Sequence, residues 1–529
     1  MKHFTLSVPI LIQNFTEDNR KETLRALRRC GAHRVFLGVS GFFSEETNRR
    51  RAFGTLPEKV AILQDKGFEV GVWVPSSIVC DGGDYTFKQN AQGQEMRPWQ
   101  CHADESFIRL AELHMRLFAQ SGISLIMFDD DFHHSHYDFG KKGLRGCSCP
   151  CHQELMRKLY GDDVDFNTIM EEAANDKPNA SREKWMAVMA HALETYASRC
   201  RHTVNEINPN IRMGIASCVS NHGIEGSSLE KLSTILAGKN KPFMRLIGAP
   251  YWYDNAYGGR RDLGFIIEVE RWQNARYKKT GIETMGEGDV FPRPRTAIPA
   301  SILECMDTAL RADGGNDGIL KYMIPYYSHA NYENGYINLH CENKPLYKAI
   351  AERFSEMPSV GIRIYTNNRI FTKYDLSYAF MDNLHEYKDS VVFPQAGRIL
   401  SKLSLPTTYD GIPISTAVFG EYGRFVEMDV LKQGTLLDFG AAQALTSRGI
   451  DVGLRENQGR FPARAEDFGH HELHRIMQPG GGYPRGFFRI RPDEKANVLS
   501  WGASNASPAR SVSVQGFIYQ QRKASFARS

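Results

Sequence analysis

The stretch Gly281-Ile282-Glu283-Thr284-Met285-Gly286-Glu287-Gly288-Asp289-Val290-Phe291-Pro292 decides how this chain reads. A short apolar lead-in, Ile282 and Met285, runs into Glu283, Glu287 and Asp289 and breaks at Phe291-Pro292. A barrel strand that carries carboxylates to its open end has this pattern. A second apolar run, Ser124-Leu125-Ile126-Met127-Phe128, ends in Asp129-Asp130-Asp131. Carboxylates on the tips of two separate strands are what cleavage of a glycosidic bond requires, one as proton donor and one as nucleophile or base.

Working outward, apolar strand-like runs at 5–12, 34–39, 69–74, 124–128, 211–216, 243–247, 282–285 and 318–323 alternate with amphipathic stretches. The helical stretches are 20–29, 56–66, 106–120, 182–208, 229–238, 263–279 and 297–313, with an eighth after Lys344. This alternation predicts an α/β fold, a (β/α)8 TIM barrel over residues 1–357. The doubly wound open sheet is the competing architecture. It carries a Gly-rich phosphate turn after its first strand, whereas here Gln13-Asn14-Phe15 follows. The expected tips are polar or aromatic: Gln13-Asn14, Trp73, Asp129 to Asp131, Tyr251-Trp252-Tyr253 and Glu287.

The texture changes after Met357-Pro358. Runs at 360–365, 391–393 and 436–437 read as strands, and 395–403 and 439–448 as helices. A smaller α/β domain is expected over 358–462. From 463 to 529, short alternating runs at 487–490, 496–500 and 511–514 read as a C-terminal β element.

The chain has 529 residues, too many for one ordinary core. With a net charge of +4, composition gives no argument for nucleic acid or an anionic membrane as partner. No stretch approaches the ~18 consecutive apolar residues of a transmembrane helix. The N-terminal apolar run is short, is interrupted by Ser7 and Pro9, and reads as the first strand rather than a signal peptide. Ten cysteines without a secretory signal then point to a reducing, cytoplasmic setting.

Three adjacent Asp residues repel one another, so at least one carboxyl is pushed up in pKa, as a general acid requires. Side chains alternate along a strand, which places Asp129 and Asp131 on one side and Asp130 on the other. Glu287 stands between two glycines at the other tip and is the expected nucleophile. Glu283, inside the strand, is either a second candidate at the site or a buried partner for an Arg. Gly146-Cys-Ser-Cys-Pro-Cys-His152 is dense in soft ligands, and Cys101-His102 lies upstream. A tetrahedral zinc there takes Cys101, Cys147, Cys149 and one of Cys151 or His152, as a staple rather than a catalytic ion. His133, His134 and His136 follow the Asp triplet. Together with Asp129 to Asp131 they define the main rival, a metal-dependent isomerase or lyase. A non-catalytic carbohydrate-binding protein is the other.

A barrel with carboxylates after strands four and seven, followed by an amidotransferase-like α/β domain lacking its Cys, resembles the family 42 β-galactosidases and their relatives. The segment Leu436-Leu-Asp-Phe-Gly-Ala-Ala-Gln-Ala-Leu-Thr-Ser-Arg-Gly449 is similar to a stretch of that family's trimerisation domain. The cysteine pattern resembles the family's zinc cluster, mapped here onto Cys101, Cys147, Cys149 and His152, with His in place of the fourth Cys. The resemblance spans roughly residues 1–462. It implies a retaining glycosidase acting on a small carbohydrate, no catalytic cofactor, and a homotrimer. The family's Asn-Glu motif on strand four falls on Asp130-Asp131, which makes Asp131 the implied acid/base and Glu287 the nucleophile. Asp130 or Asn14 would orient the sugar 2-hydroxyl, and Trp73, Trp252 and Tyr253 are the expected stacking platforms.

Overall fold

The computed structural model describes residues 4–135, 144–218, 222–253, 263–290, 298–324, 335–354, 357–367 and 395–461, with short strands further on. Eight parallel strands close into a barrel: β1 Thr5–Leu11, β2 Arg34–Gly38, β3 Glu69–Val74, β4 Leu125–Phe128, β5 Arg212–Ala216, β6 Phe243–Arg245, β7 Glu283–Gly288 and β8 Gly318–Lys321. Each strand pairs with its sequence neighbour, and β8 returns to β1 with Thr5 opposite Gly318. The (β/α)8 TIM barrel is thus the architecture of the first unit.

Strand periodicity explains what fills the barrel. Along β7, Glu283, Met285 and Glu287 share one face because side chains alternate. Met285 receives Ser7 Oγ at 3.5 Å and Arg34 Nη1 at 3.4 Å, so this face points inward. Gly286 points the other way. A Cβ there would meet Leu310 of a surrounding helix at 2.7 Å.

The helices begin where the local chemistry dictates. Asp104 caps Glu105–Gln120 by accepting from Ser106 N and Phe107 N, and Asn179 and Ser228 cap Ala180–Ile207 and Leu229–Ala237 in the same way. The eighth helix starts at Tyr336, not after Lys344, and carries Pro345 in its interior. Proline normally ends a helix, which is why the sequence reading stopped short. A hairpin of Phe87–Gln89 and Glu95–Gln100 and the helices Glu46–Phe53, Pro150–Tyr160 and Phe166–Ala173 were not expected. They are inserted in the loops after β2, β3 and β4. No helix among the described residues is long and apolar enough to cross a membrane.

The described chain divides into two compact units at Met357/Pro358. The second contains a parallel sheet of β9 Val360–Ile364, β10 Thr407–Thr408, β11 Ile412–Val418 and β12 Thr435–Leu437, in the order β10-β9-β11-β12. Helices Gln395–Lys402 and Phe439–Ser447 accompany it, the latter capped by Asp438, which accepts from Ala441 N at 2.8 Å. The central strand β11 was missed because Pro413 interrupts its pattern. Further on, Leu454–Phe461 pairs antiparallel with Phe487–Pro492, across the boundary expected at 462. Ala465–Asp467 lies between Arg475–Met477 and Trp501–Ala503, again antiparallel. The strand expectations at 391–393, 496–500 and 511–514 lie outside the described residues.

Candidate active site

The carboxylates of β4 and β7 meet on one cation. Arg245 ends β6, and its side chain is only 2 % exposed. Its Nη1 lies 2.9 Å from Glu287 Oε1, while Nη2 lies 3.6 Å from Asp129 Oδ1 and 3.7 Å from Asp130 Oδ2. These are ion pairs rather than well-aligned hydrogen bonds, since no hydrogen bond of Nη1 meets geometric criteria. The shared guanidinium sets an upper limit of about 9 Å on the separation of the Asp130 and Glu287 carboxyl oxygens, a limit that admits both the ~5–5.5 Å of retaining and the wider spacing of inverting glycosidases.

Glu287 is held from several sides. Its Oε2 accepts from Gly248 N at 3.0 Å, and its own N–H donates to Glu270 Oε1 at 2.7 Å. Burial pushes its carboxyl up to about 7, against the pull of Arg245 and with the help of Asp289 and Asp130. Burial also raises Asp129 and Asp130, each further raised by the neighbouring carboxylates and opposed by Arg245. Asp130 is the most open of the group, its side chain 40 % exposed. Tyr251 stands by the same charges: burial raises its hydroxyl, and Glu287, Asp130 and Asp289 raise it further.

Asp131 faces elsewhere. Its Oδ1 accepts from Ser76 N at 2.7 Å, and its Oδ2 from Ser77 N at 2.8 Å and Ser77 Oγ at 2.7 Å. Lys88, fully buried, reaches the Asp131 carbonyl at 3.3 Å and the His133 carbonyl at 2.6 Å. The expected alternation, with Asp129 and Asp131 on one side, therefore fails. The chain leaves the strand at Phe128 and turns, so the two-residue period no longer applies. Asp129 and Asp130 turn to Arg245, and Asp131 pins the turn to the end of β3.

The other expected substrate contacts separate in the same way. Glu283 is not at the mouth. It opens β7, four residues and about 13 Å from Glu287 along the strand, and pairs with Arg34 at 3.0 Å and Arg212 at 2.9 Å. Burial alone would raise its carboxyl, but the two guanidiniums hold it below its ordinary value. Trp252, half-buried, packs against Ile266, Met306 and Leu310. Tyr253 is 45 % exposed. Trp73 sits edge-on to Tyr322 with ring centroids 6.0 Å apart, and Tyr322 neighbours Arg245. Asn14 lies in the 3₁₀ turn after β1, where its carbonyl accepts from Asn19.

The residues that sequence reasoning missed are Arg245 and Glu270; Tyr251 was expected at a strand tip but given no role. Arg245 had a readable signal. An Arg inside the apolar run Phe243-Met-Arg-Leu-Ile247 is costly to bury unless carboxylates face it.

Cys101, Cys147, Cys149 and His152 gather on the outer side of this loop system, all buried, with donor atoms within 4.8 Å of one another. Cys149 Sγ lies 3.3 Å from Cys101 Sγ, too far for a disulfide. His152 Nδ1 is 3.3 Å and 3.4 Å from those two sulfurs. Gln89 N and Ala103 N donate to Cys147 and Cys101, as backbone does to thiolates. Three thiols and an imidazole at these spacings fit a tetrahedral zinc. The second cluster able to hold a metal, Glu304, Asp307 and His340, already surrounds a cation. Lys321 Nζ donates to Glu304 and lies 2.6 Å from Asp307 and 3.0 Å from His340. Neither group includes the Asp triplet. His134 N donates to Glu225 and its Nε2 meets the Met189 carbonyl, while His133 Nδ1 is 4.0 Å from Glu225. The described histidines thus face away from Arg245; His136 lies outside the described residues.

No protein-family profile and no curated protein sequence matches the chain. Solved structures do match in fold. A β-galactosidase from Bacillus circulans sp. alkalophilus is 11% identical with a TM-score of 0.59, over 98% of this chain and 86% of that one. A GH42 β-galactosidase from G. stearothermophilus is 12% identical with a TM-score of 0.59, over 97% and 84%. An exo-β-1,4-mannosidase from Opitutaceae bacterium strain TAV5 is 13% identical with a TM-score of 0.53, over 94% and 88%. The similarity to family 42 β-galactosidases is therefore one of architecture along most of the chain.

Proposed function

We propose that the protein is a glycoside hydrolase that cleaves a small oligosaccharide or glycoside, with Asp130 as proton donor and Glu287 as nucleophile. The observation that carries this reading is the convergence of both carboxyls on Arg245. The architecture shared with β-galactosidases and a mannosidase supports it.

The chemistry follows from the electrostatics. Arg245 favours the ionised form of Glu287, as attack on an anomeric carbon requires. Burial, with the Asp131 and Asp289 carboxylates, raises Asp130 against the pull of Arg245, the direction a proton donor requires. Asp130 gives it to the departing glycosidic oxygen and, in the second step, takes one from the incoming water. Arg245 balances the charge as the two carboxyls exchange roles. Tyr251, whose hydroxyl feels the charges of Glu287, Asp130 and Asp289, would offer a further contact to the sugar. Asp131 acts indirectly, by holding the turn that presents Asp130. Retention is the expected outcome. Product-anomer NMR on a panel of p-nitrophenyl glycosides tests both the activity and the stereochemistry. Tight sugar binding without turnover across the panel would make the protein a binding module instead.

The cluster of Cys101, Cys147, Cys149 and His152 would hold a zinc ion that cross-links the loops after β3 and β4 and takes no part in the reaction. No disulfide joins the cysteines among the described residues, which is compatible with a reducing, cytoplasmic setting. A trimer is the assembly that the family likeness implies, and light scattering tests it.

A further inference from the structure

Five soft donors crowd the metal cluster, one more than a tetrahedral ion uses. Cys101, Cys147, Cys149 and His152 are each buried from solvent. Cys151 is the exception, a half-buried thiol. It is the immediate neighbour of His152 and stands two residues from Cys149, and its Sγ lies 3.4 Å from Thr86 Oγ1. It also forms part of the wall of a cavity of about 560 Å³ that opens to solvent, with His102, Ala103, Leu155, His191 and Thr195. His102 is fully buried, and its Nδ1 has no hydrogen-bond partner.

The local sequence explains the arrangement. Cys149 is the N-cap of helix Pro150–Tyr160, and Cys151 and His152 are consecutive in its first turn. Consecutive helical positions differ in direction by about 100°. The helix therefore turns His152 into the cluster and Cys151 towards the cavity.

We propose that this cavity is the entry and exit port of the metal, with Cys151 as the transfer ligand between solvent and the buried cluster. The proposal rests on the zinc reading of the four buried donors. A closed four-coordinate site exchanges its ion slowly, because an inner bond must break before a new one forms. Cys151 offers the new bond first. A divalent zinc ion arriving in the cavity binds the Cys151 sulfur, whose proton passes to cavity water. Cys101 and Cys149, and then Cys147, take the ion over as thiolates; one of their protons returns to Cys151, the others pass to the cavity water, and His152 binds as the neutral imidazole. No electron is exchanged, and the ion ends on the four buried donors. His102, in the cavity wall and with its Nδ1 unpartnered, would supply a second contact on the way in.

The test uses the full chain loaded with zinc and follows release to a chromogenic chelator and reloading of the stripped protein. Cys151→Ser is expected to hold the same single zinc with the same Tm, but to release and reload it at least tenfold more slowly. Leu155→Trp, which fills the cavity and leaves Cys151 in place, is expected to slow both steps as well. Equal rates in Cys151→Ser and wild type would overturn the proposal. Loss of stoichiometric zinc in Cys151→Ser would also overturn it, by making Cys151 a permanent ligand. A wild-type chain that takes up no zinc on reconstitution would refute the metal reading itself, a separate result from altered rates.

Discussion

Replacing Asp131 by Asn, and separately Asp130 by Asn, distinguishes the residue that holds the turn from the residue that does the chemistry. The Asp131 carboxylate accepts three hydrogen bonds, one on Oδ1 and two on Oδ2. An Asn side chain can accept only through its single oxygen. Set to keep both Ser77 donors, it turns its NH₂ towards Ser76 N–H, donor against donor. One buried backbone N–H is then orphaned, at about 1–3 kcal/mol, and two charge-assisted bonds become neutral ones of roughly half the strength. The total is about 3 kcal/mol, on the order of 5 °C in Tm for a domain of this size. Asp130 is 40 % exposed and 3.7 Å from its cation, so Asp130→Asn is expected to move Tm by no more than about 1–2 °C. Its kcat should fall by about 10² to 10⁴, as for the loss of a general acid. Thermal melts and turnover on the best glycoside of the panel measure both quantities. An Asp131→Asn protein that keeps its Tm and loses turnover, beside an active Asp130→Asn protein, would refute the assignment.

Further expectations concern charge and metal. Burial holds the Glu287 pKa at about 7, so kcat/KM should rise with pH through about 7. Asp289→Asn should move that limb to lower pH, because Asp289 raises Glu287; an unmoved limb counts against Glu287 as the titrating group. In stability terms the folded pKa is raised, so the contribution is full below the ordinary pKa near 4.5 and is lost as pH rises through about 7. The Tm of Glu287→Gln should accordingly gain on wild type between pH 5 and pH 8. Chelation of zinc should lower Tm, with activity lost only as the loops loosen; activity lost at constant Tm would favour a catalytic ion. Lys321→Met leaves Glu304 and Asp307 facing each other without their ammonium and should cost about 3–5 kcal/mol. An unchanged melt would mean that the cluster is hydrated or protonated instead.

The barrel was legible because its strands are apolar runs that hardly depend on context. All eight were found, at boundaries close to those observed. The elements that escaped are those where a local rule is overridden. Pro345 lies inside a helix, Pro413 inside a strand, and the hairpin at Phe87–Gln89 and Glu95–Gln100 is short and polar. At the site, Glu287 and the thiols Cys101, Cys147 and Cys149 were expected from motif and spacing, which left the fourth donor open between Cys151 and His152; the family resemblance pointed to His152, which gathers with the three thiols.

What the sequence determined by itself was periodicity, and with it the closed parallel barrel, the two acidic tips and the gathered thiols. Which Asp of three faces Glu287 was decided only by tertiary structure. Outside a strand, side-chain direction follows from the hydrogen bonds available, and the donors that captured Asp131 come from Ser76 and Ser77, more than fifty residues away. The placement of Arg245 between the two tips is likewise a fact of the sheet, since β6 pairs directly with β7 and lies one strand away from β4, although the three segments are far apart in sequence.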